Sequence, residues 1–169
     1  LVELGGNINT VTEGLRRLFA IDPSAPGISL IHCATGLAAL QRLCGYMALS
    51  RIDKDLLVHC RFADTRVLPN LLGALSEAQL ARLSVDIARW CWIDYRGEVK
   101  CWQHHLSSSG NKQIDLAPHL ELDTQQFSAM LDASEPDNVF SLLLDNTPGL
   151  VPHDALGDFR TRLSQILTT

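Results

Sequence analysis

Long apolar runs are what this chain most plainly lacks. No stretch of about 18 residues reads as a bilayer span, and the opening residues carry no signal-peptide pattern, so a membrane is not an expected partner. Clustered basic residues are missing too. Fourteen Lys and Arg stand against nineteen Asp and Glu for a net charge of −5. With no basic patch, a nucleic-acid partner is not expected, because phosphate binding needs clustered cations. There is no CxxC pair. The five cysteines, Cys33, Cys44, Cys60, Cys91 and Cys101, are odd in number and scattered through apolar runs. That pattern fits free thiols in a reducing compartment and leads to the expectation that all five are reduced. Nor does a glycine-rich phosphate loop follow a strand: Gly5-Gly6 lacks the third glycine and the acidic residue of a dinucleotide fingerprint. No internal repeat occurs.

What is present is ordinary globular composition, 46% apolar and 20% charged over 169 residues, enough for one domain with a small appended lobe. Leu1 to Leu4 reads as a strand, and Thr10 with Glu13 as the capping box of a helix to about Ala20. Ile28 to Cys33 is apolar on both faces and predicts a central strand. Thr35 is placed to cap a helix running to about Ser50, with Leu37, Leu40, Leu43, Cys44 and Met47 inward. Leu56 to Phe62 predicts a buried strand. Ser76 and Gln79 open a short helix. Ile87 to Tyr95 and Glu98 to His105 read as a hairpin whose three-residue loop sets Cys91 opposite Cys101 and Trp90 opposite Trp102. After Pro118 the pattern is helical. Capping boxes at Asp123/Gln126 and Ser134/Asp137, and a stop at Asn146-Thr147-Pro148-Gly149, divide it into about three helices. The expected fold class is therefore α/β, a mixed β-sheet flanked by helices over residues 1–118, with a C-terminal helical lobe over 119–169.

No catalytic residue, cofactor or metal site is assigned. His32-Cys33, His59-Cys60 and Cys101 with His104 and His105 contain zinc-ligand types, yet adjacent strand residues point to opposite faces and each pair can offer one ligand at most. The cysteines sit in apolar runs that raise a thiol pKa, which disfavours a Cys-His nucleophile. Asp53 with Asp55 reads as a solvated turn, and Asp64 with Asp86 as a cap plus a loop residue. Trp90 and Trp92 share a strand face. They are candidate partner contacts, since aromatics dominate interface energetics, though core packing accounts for them as well.

The stretch that organises the rest is RFADTRVLPNLL, residues 61–72. Asp64 follows an apolar strand and is placed to cap the next helix. Arg66, at the unfavourable end of that helix's dipole, calls for a carboxylate. Pro69 marks an irregular first turn or a late helix start. Arg61, Phe62, Asp64 and Arg66 are thus expected to form a structural hub. With LSEAQLARL and IARWCW downstream, the stretch resembles the type VI secretion effector adaptors, also called effector chaperones, a bacterial family of unknown-function domains. Their usual pattern is an arginine and an aromatic ending a strand, an aromatic-Asp-Pro-Arg turn, a Val-Leu helix start, and a Trp-bearing strand after a Gln-containing helix. Arg61, Phe62, Asp64, Arg66, Val67 and Leu68 match it; Ala63 replaces the usual aromatic and Thr65 the usual proline. The likeness extends over roughly residues 28–167. It implies a non-enzymatic, cofactor-free cytoplasmic protein of a bacterium that binds a toxic effector polypeptide and recruits it to the VgrG spike. It also implies an N-terminal strand and helix, which this chain, opening on Leu, is expected to lack. The alternatives are a hydrolase or thiol enzyme with a non-local site, and a self-associating structural subunit.

Overall fold

The computed structural model describes residues 27–33, 35–53, 56–94, 98–103, 117–152 and 155–167, with Glu13 and Arg17 besides. The strand expected at Leu1–Leu4, most of the helix expected to Ala20, and the hairpin tip at 95–97 lie outside them. The fold is α/β. In chain order come β1 (Ser29–Cys33), α1 (Leu37–Ala48), β2 (Leu49–Ile52), β3 (Leu56–His59), α2 (Leu68–Ala74), α3 (Glu77–Ser84), β4 (Ile87–Ile93), β5 (Val99–Trp102), β6 (Leu120–Leu122), α4 (Thr124–Asn146), a 3-10 turn (Pro148–Leu150) and α5 (Leu156–Leu167). The described strands form two three-stranded sheets instead of the one expected: antiparallel β1-β4-β5, and mixed β3-β2-β6 with β2 antiparallel to β3 and parallel to β6.

The first sheet is centred on β4, because its two tryptophans supply the largest apolar area to bury. Trp90 and Trp92 face the core, and Trp90 Nε1 donates to Ser29 Oγ across the sheet at 2.9 Å. A register shift between His32 and Cys33 pairs Cys33 with Ile87 and skips Ala88, which brings Ile87 onto the core face with Trp90. The central position expected for Ile28–Cys33 is not observed. Among the described strands β1 lies at the edge of this sheet, with Leu30 and His32 exposed on one face.

The second sheet was largely illegible. The helix expected to reach Ser50 stops at Ala48, and Leu49 is already extended. Over LSRI the apolar period changes from 3.6 to 2: Ser50 and Ile52 are buried while Leu49 is exposed. β3 is an edge strand with Leu56 and Leu57 half exposed, not the buried strand expected, and it ends at His59. β6 has only three residues, yet Leu120 and Leu122 fill the core beside Ser50 and Ile52. It belongs to this sheet although it lies beyond the boundary expected at residue 118.

Thr35 does not cap α1. Gly36 takes the cap position with φ +89°, a left-handed conformation that favours glycine, and the Thr35 hydroxyl donates instead to Asp86 Oδ1 at 2.5 Å. Three C-terminal helices reduce to two and a 3-10 turn. Ser134 does not begin a new helix, because its hydroxyl donates back to the Met130 carbonyl at 2.7 Å. α4 therefore runs unbroken for 23 residues through the buried Pro136.

α4 is tied to the body by a pair of glutamines. Both capping boxes form, Ser76 with Gln79 and Asp123 with Gln126. The two N3 side chains then meet: Gln126 Nε2 donates to Gln79 Oε1 at 2.7 Å and to the Ala74 carbonyl at 2.9 Å, while Gln79 Nε2 donates to the Glu121 carbonyl at 2.6 Å. An amide is required at Gln79, since it must accept and donate at once.

The hairpin register matches expectation, with Trp90 opposite Trp102 and Cys91 opposite Cys101. The expectation of five reduced thiols does not hold. Cys91 and Cys101 form a disulfide, their Cα atoms 4.1 Å apart, because directly opposed residues share one face of the sheet; Cys33, Cys44 and Cys60 are free. Alkylation under denaturing, non-reducing conditions should accordingly modify three thiols, and five only after reduction. Closing a loop of this length stabilises by about 2–3 kcal/mol, so reduction should lower the melting temperature by several degrees. Gln79→Glu, which turns a donor toward the Glu121 carbonyl into a carboxylate, should cost about 1–3 kcal/mol in urea unfolding, whereas an exposed glutamine such as Gln125 should tolerate the same change.

Candidate functional site

Past His59 the chain must turn from the second sheet onto the first, and residues 61–68 make that corner. Phe62 packs edge-on against Trp90, with ring centres 6.1 Å apart and planes at 75°. This contact brings the next residue but one, Asp64, into the body of the protein, where it is only 9% exposed.

A carboxylate so placed needs partners for both oxygens. Asp64 Oδ1 accepts from the backbone N–H of Arg66 at 3.0 Å and from its Nε at 2.9 Å. Oδ2 accepts from Arg66 Nη2 at 2.7 Å and Arg61 Nη2 at 3.0 Å. The Arg66 guanidinium is thus held by two parallel bonds, the strongest geometry available to such a pair. The Asp64 carbonyl accepts from Val67 N and Leu68 N, both at 3.0 Å. Burial alone would raise the Asp64 pKa, but the Arg66 hydrogen bonds and the charges of Arg66 and Arg61 hold it below the usual carboxylate range.

The expected hub is present with one change of role. Asp64 stabilises the turn before the helix, not the first turn of the helix itself. α2 begins at Leu68 with Val67 at its cap position, since Pro69 in the first turn has no N–H to offer. Arg66 is the principal partner. The side chain of Arg61 is 66% exposed, so its share of the ion pair is screened by water.

Beside the corner lies a cleft of about 490 Å³ between the β4–β5 hairpin, α2 and the C-terminal helices. Arg66, Lys100 and Arg160 line it, as do Asp94 and Asp137. Lys100 Nζ sits 2.6 Å from Glu98 Oε2 and 3.6 Å from Asp94 Oδ2; Arg160 pairs with Asp137 and lies 5.9 Å from the centre of the Phe140 ring. Each of these cations has its own acid, so the cleft presents compensated charge. Trp92 contributes one wall. Trp90 and Trp92, the candidate partner contacts, are core side chains at 1% and 8% exposure, because the sheet face they share is the one that packs under the helices.

Among the described residues, the other histidines, cysteines and paired carboxylates read as candidates form no cluster. Burial pushes the Cys44 and Cys60 thiols up, away from the thiolate a nucleophile needs. Asp53 accepts the Thr124 hydroxyl and Asp86 that of Thr35, while Asp55, the other half of the first carboxylate pair, lies outside the described residues. His32 and His59 are exposed on separate sheets, and His104 and His105 lie outside the described residues. Among the described residues no three metal-ligating side chains converge, and no helix is long and apolar enough to cross a membrane. Sequence reasoning missed the glutamine pair; its signal is that both capping boxes carry Gln where Glu would serve equally for capping alone.

No family model matches this chain, and neither a curated protein nor a solved structure matches it.

At pH 7, Asp64→Ala should cost about 2–3 kcal/mol, since it removes a turn cap and leaves Arg66 uncompensated. Arg61→Ala should stay within about 1 kcal/mol. Because the folded-state pKa of Asp64 is depressed, its contribution is complete above the ordinary carboxylate pKa and is lost as pH falls through the lower folded value. The stability gap between parent and Asp64→Asn should therefore narrow in acid. Urea titrations at neutral and acid pH read it directly, and a gap that widens would contradict the assignment.

Proposed function

We propose that this protein is an adaptor of the type VI secretion machine, which binds an effector polypeptide and recruits it to the VgrG spike. The observation that carries this reading is the 61–72 stretch. Each residue it shares with the adaptor pattern around the turn has a definite physical role. Phe62 packs on Trp90, Asp64 gathers the turn, and Arg66 answers it in bidentate fashion. The two departures from the pattern are accommodated locally. Ala63 is exposed, so a missing aromatic opens no hole in the core, and Thr65 is buried in place of a proline ring.

The tagged full chain, expressed in its native host, should hold a toxin-domain polypeptide and VgrG through size-exclusion chromatography. The same purified protein should leave ester and peptide substrates intact. Turnover at enzyme-like rates that is abolished by one polar substitution would overturn the adaptor reading in favour of a hydrolase.

A further inference from the structure

The charge of this chain is unevenly placed. Residues 119–169 hold eight Asp and Glu against two Arg, while residues 1–118 hold eleven acidic and twelve basic residues. The net negative charge therefore belongs to residues 119–169, and on α4 four acids stand with no basic residue. On α4, residues 131, 135, 138, 142 and 145 fall within one narrow stripe at 100° per residue, and all five are exposed. Leu131 and Leu142, 54% and 59% exposed, lie on it about 16 Å apart along the axis. Glu135 and Asp145 flank them, and neither meets a cation among the described residues.

The other side of α4 is already used. Asn70 Nδ2 donates to the Ala133 carbonyl at 3.3 Å, Gln126 reaches Ala74, and Phe140 with Asp137 faces Phe159 and Arg160 of α5. Two exposed leucines and two acidic side chains on one face leave α4 a side that is both apolar and negative.

We infer that this stripe docks a basic amphipathic helix of the effector, whose apolar residues seat on Leu131 and Leu142 while its Lys or Arg side chains face Glu135 and Asp145. The charge selects the occupant. A second copy of the same stripe would bring acid against acid, and an anionic lipid surface would be repelled for the same reason. The inference relies on the adaptor reading for the source of the helix and not for its chemistry.

The probe is a Leu/Lys amphipathic peptide of about 18 residues, compared with its Leu/Glu counterpart by fluorescence anisotropy against the full chain. The Leu/Lys peptide should bind at least about tenfold more tightly and weaken as salt rises. Glu135→Lys with Asp145→Lys should reduce its affinity by about tenfold or more and improve that of the Leu/Glu peptide. Leu131→Ser with Leu142→Ser should weaken it comparably. All four positions are exposed, so melting curves should match the parent. Equal binding of the two peptides, or variants that bind like the parent, would overturn the inference; so would a dimer that Leu131→Ser with Leu142→Ser dissolves. If the effector is captured equally by the parent and by the four-residue variant, the stripe fails and the adaptor reading stands. If the parent captures no effector while the peptide result holds, the adaptor reading fails and the stripe stands.

Discussion

A single carboxylate governs how the two sheets are joined. Asp64 sits where the chain passes from β3 to the helices that cover β4, and its two oxygens take up four donors from Arg61 and Arg66. A charge left unpaired there would cost several kcal/mol, about 3–5, so the paired arrangement is favoured. That arrangement determines where Leu68 and Leu71 enter the core, because the Asp64 carbonyl also accepts the N–H groups of Val67 and Leu68. Phe62 against Trp90 is the apolar half of the same device: the ring contact brings the acid inward, and the guanidinium makes its burial tolerable.

The C-terminal helices depend on this corner at one remove. Arg66 faces the cleft that Asp137 and Arg160 also line, and the Asp137 charge acts on Arg66 alongside that of Asp64. On the far side, Gln79 and Gln126 join α3, α4 and the end of α2 through amide hydrogen bonds. α4 is thus anchored at its start and middle. Its later turns and α5 bury little, and α5 has no fully buried residue. A helix pair so placed leaves apolar and acidic side chains exposed.

Devices that act within four residues were legible in the sequence. The Ser76/Gln79 and Asp123/Gln126 capping boxes form as read; of the stripe read on α1, Leu40, Leu43 and Met47 are buried while Leu37 and Cys44 are only half-buried. The hairpin register was legible as well, because a short loop constrains which residues face each other. Thr35 and Ser134 look just as much like caps, yet each hydroxyl found another acceptor, one of them 51 residues away. A cap is only one of several bonds that a hydroxyl can make, and the competition is decided by what folds nearby.

By itself the sequence determined the helices with local start signals, the pairing of Cys91 with Cys101 as neighbours, and the charge chemistry of the Asp64 corner. All three follow from contacts between residues close in the chain. Only the tertiary structure decided that the described strands divide into two sheets with β1 and β3 at their edges, and that the facing cysteines are bonded. It alone showed that LEL at 120–122 is a strand and that Trp90 and Trp92 belong to the core. A three-residue segment carries too little pattern to reveal its period, and its identity comes from the partner strand that satisfies its backbone. That partner, β2, lies about 70 residues earlier in the chain.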